Sequence, residues 1–267
     1  MKFSLFSKKL KRGNRVKNLF SLEGKKVILT GGAAGLGRSI IEGMHDAGAE
    51  VVIIDIVDNV NEVAKEIQGN GTNAYGIKAD LGNKESLEKG FNEAIEKLGG
   101  YVDILVNNAG VQKRCPAIDF SQEDWDFVIK LNLTQVFQMS QLAGKIMIKR
   151  GYGKIINIAS MNTFITVKNI SAYAASKGAI GQFTKSLANE WGGFGINVNA
   201  LAPGFITTKM TEKLKDTPDR LKLLERIPAG RWGLPEDLVG TAIYLASSAS
   251  DYVNGAIIPI DGGFLAN

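Results

Sequence analysis

Tyr173 and Lys177 stand four residues apart in Tyr173-Ala174-Ala175-Ser176-Lys177, a spacing that puts both side chains on one face of a helix. A phenol ordinarily ionises near pH 10, and an ammonium beside it favours the phenolate. Such a pair would exchange a proton near neutral pH without any histidine. Ser160 lies 13 residues upstream, at the end of the run Lys154–Ala159, where its hydroxyl would hold a substrate oxygen. Asn132 sits between Leu131 and Leu133 in a helical stretch. That setting points to a buried, hydrogen-bonded amide rather than the usual surface or capping role. The chain has one histidine, His45, and one cysteine, Cys115. Multi-histidine metal sites and intrachain disulfides are therefore excluded and a Ser-His-Asp triad is disfavoured; no metal is expected, and a reducing cytoplasm is the expected compartment.

A second group of residues would serve a nucleotide. Thr30-Gly31-Gly32-Ala33-Ala34-Gly35-Leu36-Gly37 follows a short apolar run and opens a helical pattern. Free N–H groups and the positive end of the dipole at a helix start attract a pyrophosphate, and glycines let the backbone come close. The spacing is G-x-x-x-G-x-G rather than the common G-x-G-x-x-G, so its weight comes from the strand before and the helix after. Asp55 ends the second apolar run, 18 residues after Gly37, where an acid would take a ribose 2′-hydroxyl. Its carboxylate would repel a 2′-phosphate, Ile56 follows it, and no base replaces it, which predicts NAD rather than NADP. Asn107-Asn108-Ala109-Gly110 follows the fourth apolar run, beside the expected cofactor.

These residues need a frame that brings run ends together. The strand candidates are Lys26–Thr30, Glu50–Asp55, Ala74–Lys78, Asp103–Val106, Lys154–Ala159, Asn197–Leu201 and Ala256–Ile260, with helical patterns near 36–47, 59–68, 84–97, 122–149, 173–191 and 235–247. Continuously apolar runs such as Val51-Val52-Ile53-Ile54 suit parallel strands covered on both faces. The expectation is an α/β chain: one Rossmann-type doubly wound parallel sheet of about seven strands over residues 21–267. The 267 residues, 45% hydrophobic and 22% charged, suit one soluble domain, and no apolar run is long enough to cross a membrane. The net charge of +5 is local: residues 1–20 hold seven basic side chains and no acid, which leaves 25 bases against 27 acids elsewhere. That segment reads as a mobile basic leader, with a membrane-surface or nucleic-acid arm as the alternative. The acidic remainder argues against nucleic acid as a partner.

Together these motifs resemble the short-chain dehydrogenase/reductase family over nearly the whole chain from about Leu19. The pattern T-G-x-x-x-G-x-G falls on Thr30 to Gly37, N-N-A-G on Asn107 to Gly110, and the Asn-Ser-Tyr-Lys tetrad on Asn132, Ser160, Tyr173 and Lys177. The resemblance implies cofactor contacts from Thr30, Gly31, Gly35, Leu36, Gly37, Asp55, Ile56, Asn107, Ala109 and Gly110. It implies further ones from Asp80 and Leu81 beside the adenine, from Pro203, Gly204, Ile206 and Thr208 in a nicotinamide loop, and from Tyr173 and Lys177. It also implies hydride transfer between NAD and a carbinol or carbonyl carbon. In that scheme Tyr173 exchanges the proton, Ser160 positions the oxygen, Lys177 lowers the phenol's pKa and binds the ribose, and Asn132 holds a water in a proton relay. A homotetramer paired through the helices near 122–149 and 173–191 is implied too. Arg226–Pro235, Ser247–Gly255, Phe20–Lys25 and Ile158–Met161 resemble family members that act on sugar acids. A small-molecule substrate follows, a 3-deoxy-2-ketohexonate exchanging with its 2,5-diketo form. Gluconate, 3-oxoacyl carrier-protein and hydroxysteroid substrates are the rivals, and a non-catalytic nucleotide-binding protein is the alternative class. A sugar acid needs a cation, and Arg114, on the loop after Gly110, is the expected carboxylate clamp beside Ser160 and Tyr173. A solvated loop charge or a subunit contact is the plainer reading of Arg114. Residues 207–227 read as a mobile lid with solvated Lys209, Lys213 and Lys215.

Overall fold

The computed structural model describes residues 19–69, 71–208 and 223–267. The expected basic leader, all but its last two residues, and most of the expected lid with its three lysines lie outside them. Seven parallel strands form one sheet: β1 (Lys26–Thr30), β2 (Glu50–Asp55), β3 (Ala74–Lys78), β4 (Ile104–Asn107), β5 (Gly153–Ile158), β6 (Ile196–Pro203) and β7 (Ile257–Ile260). Their spatial order is β3-β2-β1-β4-β5-β6-β7, so the chain winds outward in one direction from β1 and then in the other from β4. The helices are α1 (Gly35–Asp46), α2 (Val60–Gln68), α3 (Lys84–Lys97), α4 (Gln122–Ile129), α5 (Gln135–Arg150), α6 (Ser171–Trp191) and α7 (Val239–Ala246).

Alternate strand residues feed two cores, which explains why the strands read as continuously apolar. Val27, Leu29, Val51 and Ile53 pack with Ile40, Ile41 and Met44 of α1, Val63 of α2 and Leu245 of α7. Ile28, Val52 and Ile54 face the other way, onto Leu87 and Phe91 of α3, Met139 and Met147 of α5 and Leu187 of α6. Burying a residue of this kind is worth about 1.5–3 kcal/mol, so a one-residue slip in any central strand would exchange the two cores and is strongly disfavoured.

The structure revises several boundaries. Asp103 is not the first residue of β4; its carboxylate is buried, accepting the Lys26 N–H at 3.0 Å and the Arg150 guanidinium at 2.8 Å. The continuous helix expected over 122–149 is two helices joined by a π-helical turn, Lys130–Thr134, in which Gln135 N–H reaches back to Lys130 O. The expected helix 235–247 starts as a 3₁₀ turn, Pro235–Leu238, capped by Asp237 on the Leu234 N–H, and continues as α7. Among the described residues, no helix is long and apolar enough to cross a membrane, and no cluster of histidine, cysteine and acids is placed to hold a metal.

Candidate active site

A cavity of about 620 Å³ opens at the C-terminal ends of the strands, where the winding reverses between β1 and β4. Two loops part there, and a small polar device holds them. Thr30 Oγ accepts the N–H groups of Asn108 and Ala109 at 3.0 and 3.1 Å. The Asn108 side chain in turn donates to the Thr30 and Gly31 carbonyls at 3.0 and 2.7 Å. Thr30 and Asn107, expected beside the cofactor, are buried and are not among the residues that line the cavity. Thr30 sets the distance between the loops. Asn107 bridges Ser140 at 3.1 Å and Asn157 at 2.9 Å beneath the floor.

One arm of the cavity fits a dinucleotide. Gly31, Gly35, Leu36 and Gly37 line it at the start of α1, whose first turn has no side-chain cap. A Cβ on Gly37 would collide with the Gly31 carbonyl oxygen and the Asn108 amide, so only glycine lets these segments close. Gly31 and Gly35 also hold positive φ angles, +70° and +58°. Asp55 reaches the cavity with its carboxylate fixed by the N–H groups of Ala33 at 2.9 Å and Ile56 at 2.7 Å. Ile56, Asp80, Leu81, Ala109, Gly110, Pro203, Gly204, Ile206 and Thr208 line the same cavity. An uncapped helix start, close-packed glycines and a held carboxylate match what a diphosphate and an adenosine ribose require.

The other arm gathers Ser160, Tyr173, Lys177 and Arg114. Ser160 lies two residues past the end of β5 and caps the 3₁₀ turn Met161–Thr163, accepting the Asn162 N–H at 3.1 Å. Tyr173 and Lys177 share a face of α6, but Lys177 does not do what its spacing suggested. Its Nζ donates to the Ile158 carbonyl at 2.6 Å and lies 5.7 Å from the centre of the Tyr173 ring. Burial holds its pKa down at about 8. The Tyr173 pKa is raised rather than lowered, because burial of the phenol outweighs the groups that favour the phenolate: a hydrogen bond from Ser160 and the positive charge of Arg114. In the free chain the groups that favour the phenolate are Ser160 and Arg114, and Lys177 is not among them. Lys113, by contrast, turns away into a 3.0 Å pair with Asp124.

Asn132 is buried in the π-helical turn and does not line the cavity. Its Oδ1 accepts the Val111 N–H at 2.8 Å, and its Nδ2 donates to Val111 O at 2.9 Å and to Ser176 Oγ at 3.1 Å. The amide pins the loop after β4 to α6 and has one Oδ1 lone pair left for the water of the expected relay. Asn162 is a polar cavity residue that reading the sequence missed. Its only signal is its position two residues after Ser160.

A dinucleotide cradle and a phenol–hydroxyl pair within one cavity define the class: a nicotinamide-dependent oxidoreductase on a doubly wound sheet. Comparison with known proteins agrees. The family model described as enoyl-(acyl carrier protein) reductase matches residues 31–265. The chain is 46% identical, over 93% of its length and 98% of the relative's, to 2-dehydro-3-deoxy-D-gluconate 5-dehydrogenase of Dickeya dadantii. It superposes with a TM-score of 0.90 at 37% identity on the crystal structure of a gluconate 5-dehydrogenase from Burkholderia cenocepacia in complex with NADP and tartrate, covering 94% of this chain and 99% of that one. The structure of a short-chain type dehydrogenase/reductase from Mycobacterium marinum gives 0.89 at 35% identity, covering 94% and 100%. The chain belongs to the short-chain dehydrogenase/reductase family and is an NAD(P)-dependent oxidoreductase acting on CH–OH groups.

Proposed function

We propose that the chain is an NAD-dependent sugar-acid dehydrogenase that interconverts 2-dehydro-3-deoxy-D-gluconate and the 2,5-diketo form. The observation that carries this reading is the position of Arg114, a guanidinium that lines the same cavity as Ser160 and Tyr173 and is near enough for its charge to act on the phenol. It supports a carboxylate-bearing substrate, and the relative from Dickeya dadantii supports which one. Gluconate 5-dehydrogenation is the second reading, favoured by the Burkholderia cenocepacia structure. That structure holds NADP, yet the held carboxylate of Asp55 supports NAD here.

The chemistry is one exchange of two electrons and a proton. Bound in the cradle at Gly31–Gly37 and Asp55, NAD would supply the hydride acceptor, and NADH the donor for the reverse direction. Tyr173 takes the hydroxyl proton as the carbonyl forms, and Ser160 donates a hydrogen bond that steadies the oxygen. Lys177 holds a positive charge beside the phenol, Asn132 fixes the loop that carries Val111, and Arg114 grips the carboxylate. Phe137, 47% exposed on α5, supports a homotetramer, whereas Phe127 lines the cavity and Val136, Ile180 and Leu187 are spent on the intrachain core. The test is an NADH absorbance assay on hexonates, their keto and deoxy derivatives and hydroxysteroids, with wild type and Tyr173→Phe. Turnover of the 3-deoxy-2-keto acid is expected, with Tyr173→Phe slower by about 10²–10⁴-fold at unchanged NADH affinity. Turnover of hydroxysteroids alone, or a variant within threefold of wild type, would overturn the reading.

A further inference from the structure

Two donors meet on one oxygen beside the reacting groups. The backbone N–H of Asn162 and its side-chain Nδ2 both donate to Ser160 Oγ, each at 3.1 Å. A serine hydroxyl has two lone pairs and one proton. With both lone pairs engaged, the bond left to Ser160 is one that it donates, and the groups to receive it are the Tyr173 oxygen and a substrate oxygen. Asn162 is held for this duty: it sits in the 3₁₀ turn Met161–Thr163, whose Met161 is buried and whose Thr163 Oγ donates to the Lys177 carbonyl at 2.9 Å. The opposite end of the same amide is unsettled. Oδ1 of Asn162 is buried, on a residue that lines the cavity, and has no hydrogen-bond partner among the described residues. A buried amide oxygen calls for a donor, and a sugar acid carries hydroxyls on the carbons flanking the one that reacts.

We propose that Asn162 is a positioning residue with two duties: it commits the Ser160 hydroxyl to donation, and through Oδ1 it accepts a hydrogen bond from a substrate hydroxyl next to the reacting carbon. The second duty rests on the sugar-acid reading; the first does not. The bond from Ser160 favours the Tyr173 phenolate, so losing the commitment moves the proton transfer as well as the binding.

The test is alcohol oxidation from roughly pH 6 to roughly pH 10, a range that spans the rise as the phenol ionises, with wild type, Asn162→Leu and Asn162→Asp. Leucine keeps the branched shape and removes the side-chain hydrogen bonds while the backbone N–H stays, which frees one Ser160 lone pair to accept from the phenol. Aspartate accepts only, and draws the Ser160 proton to itself. In both variants the midpoint of the pH profile is expected to rise by about half a pH unit or more, with NADH affinity by fluorescence unchanged. For Asn162→Leu, kcat/KM on the sugar acid falls about tenfold and on a secondary alcohol without a neighbouring hydroxyl by about threefold or less. A midpoint that stays put in variants that bind NADH normally overturns the commitment of Ser160. Equal losses on the two alcohols overturn the hydroxyl contact. If the leucine variant binds no NADH, Asn162→Ser gives the same two readings. Should wild type oxidise no sugar acid, the functional reading fails, while the pH arm still decides the first duty on whichever alcohol is oxidised.

Discussion

Lys177 places a measurable cost on the free chain. Its side chain is only 5% exposed, and burial lowers its pKa from 10.5 to about 8. Unfolding restores the ordinary value, so between pH 8 and 10.5 the unfolded chain binds more protons and stability must rise with pH. For a base with a depressed folded pKa the penalty is present in full below the folded value and disappears above the unfolded one. A depression from 10.5 to about 8, at about 1.36 kcal/mol per pH unit, makes the penalty about 3 kcal/mol at pH 7, of which about 1 kcal/mol remains at pH 9.5. Lys177→Met keeps the length and removes the charge. It also loses the bond to the Ile158 carbonyl, a cost that does not depend on pH. The stability of wild type relative to the variant should therefore increase by about 2 kcal/mol between about pH 7 and about pH 9.5, read from urea unfolding without cofactor. Two pH curves that run parallel to within about 0.5 kcal/mol would refute the argument from burial.

Three other substitutions test the site. Gly37→Ala should abolish NADH binding in a fluorescence titration, because its Cβ meets the Gly31 carbonyl and forces the two loops apart. Asp55→Asn should raise the ratio of kcat/KM with NADP to that with NAD by about tenfold, since like charges a few ångströms apart repel by about 1 kcal/mol even in water; an unchanged ratio would remove the charge argument. Arg114→Ala should raise KM for a sugar acid by about 10–100-fold, the worth of a charge-assisted hydrogen bond, with KM for an uncharged ketone unaffected. The same variant should move the pH midpoint of kcat upward on both substrates, because the charge that favours the phenolate is gone.

Much of this was legible before any coordinates, because parallel strands buried on both faces leave an unmixed apolar signature. Val51 to Ile54 and Ile104 to Val106 could be placed to within a residue. The cofactor arm was readable for a related reason: Gly37 and Asp55 do their work through backbone closeness and charge, which residue type and spacing encode. What was not legible depends on depth and on partners. The spacing of Tyr173 and Lys177 puts them on one face, but says nothing of the Ile158 carbonyl that takes the ammonium or of the burial that raises the phenol's pKa. Nor does the motif reveal that Thr30 ties two loops together and that Asn107 bridges Ser140 and Asn157. Asn162 carries no motif, and only the meeting of its two donors on Ser160 Oγ reveals it.

The π-helical turn at Lys130–Thr134 holds one residue more than an α-helix would use over the same length. Removing any one of the five would give a smoother rod, with composition and hydropathy almost untouched. It would also turn α4 against α5 by about 100°, so that Val128 and the stripe of Val136, Met139, Ala143 and Met147 could not both reach the interior. Side chains there other than Asn132 are open to exchange, but the segment cannot lose a residue, and the irregularity is carried as a length.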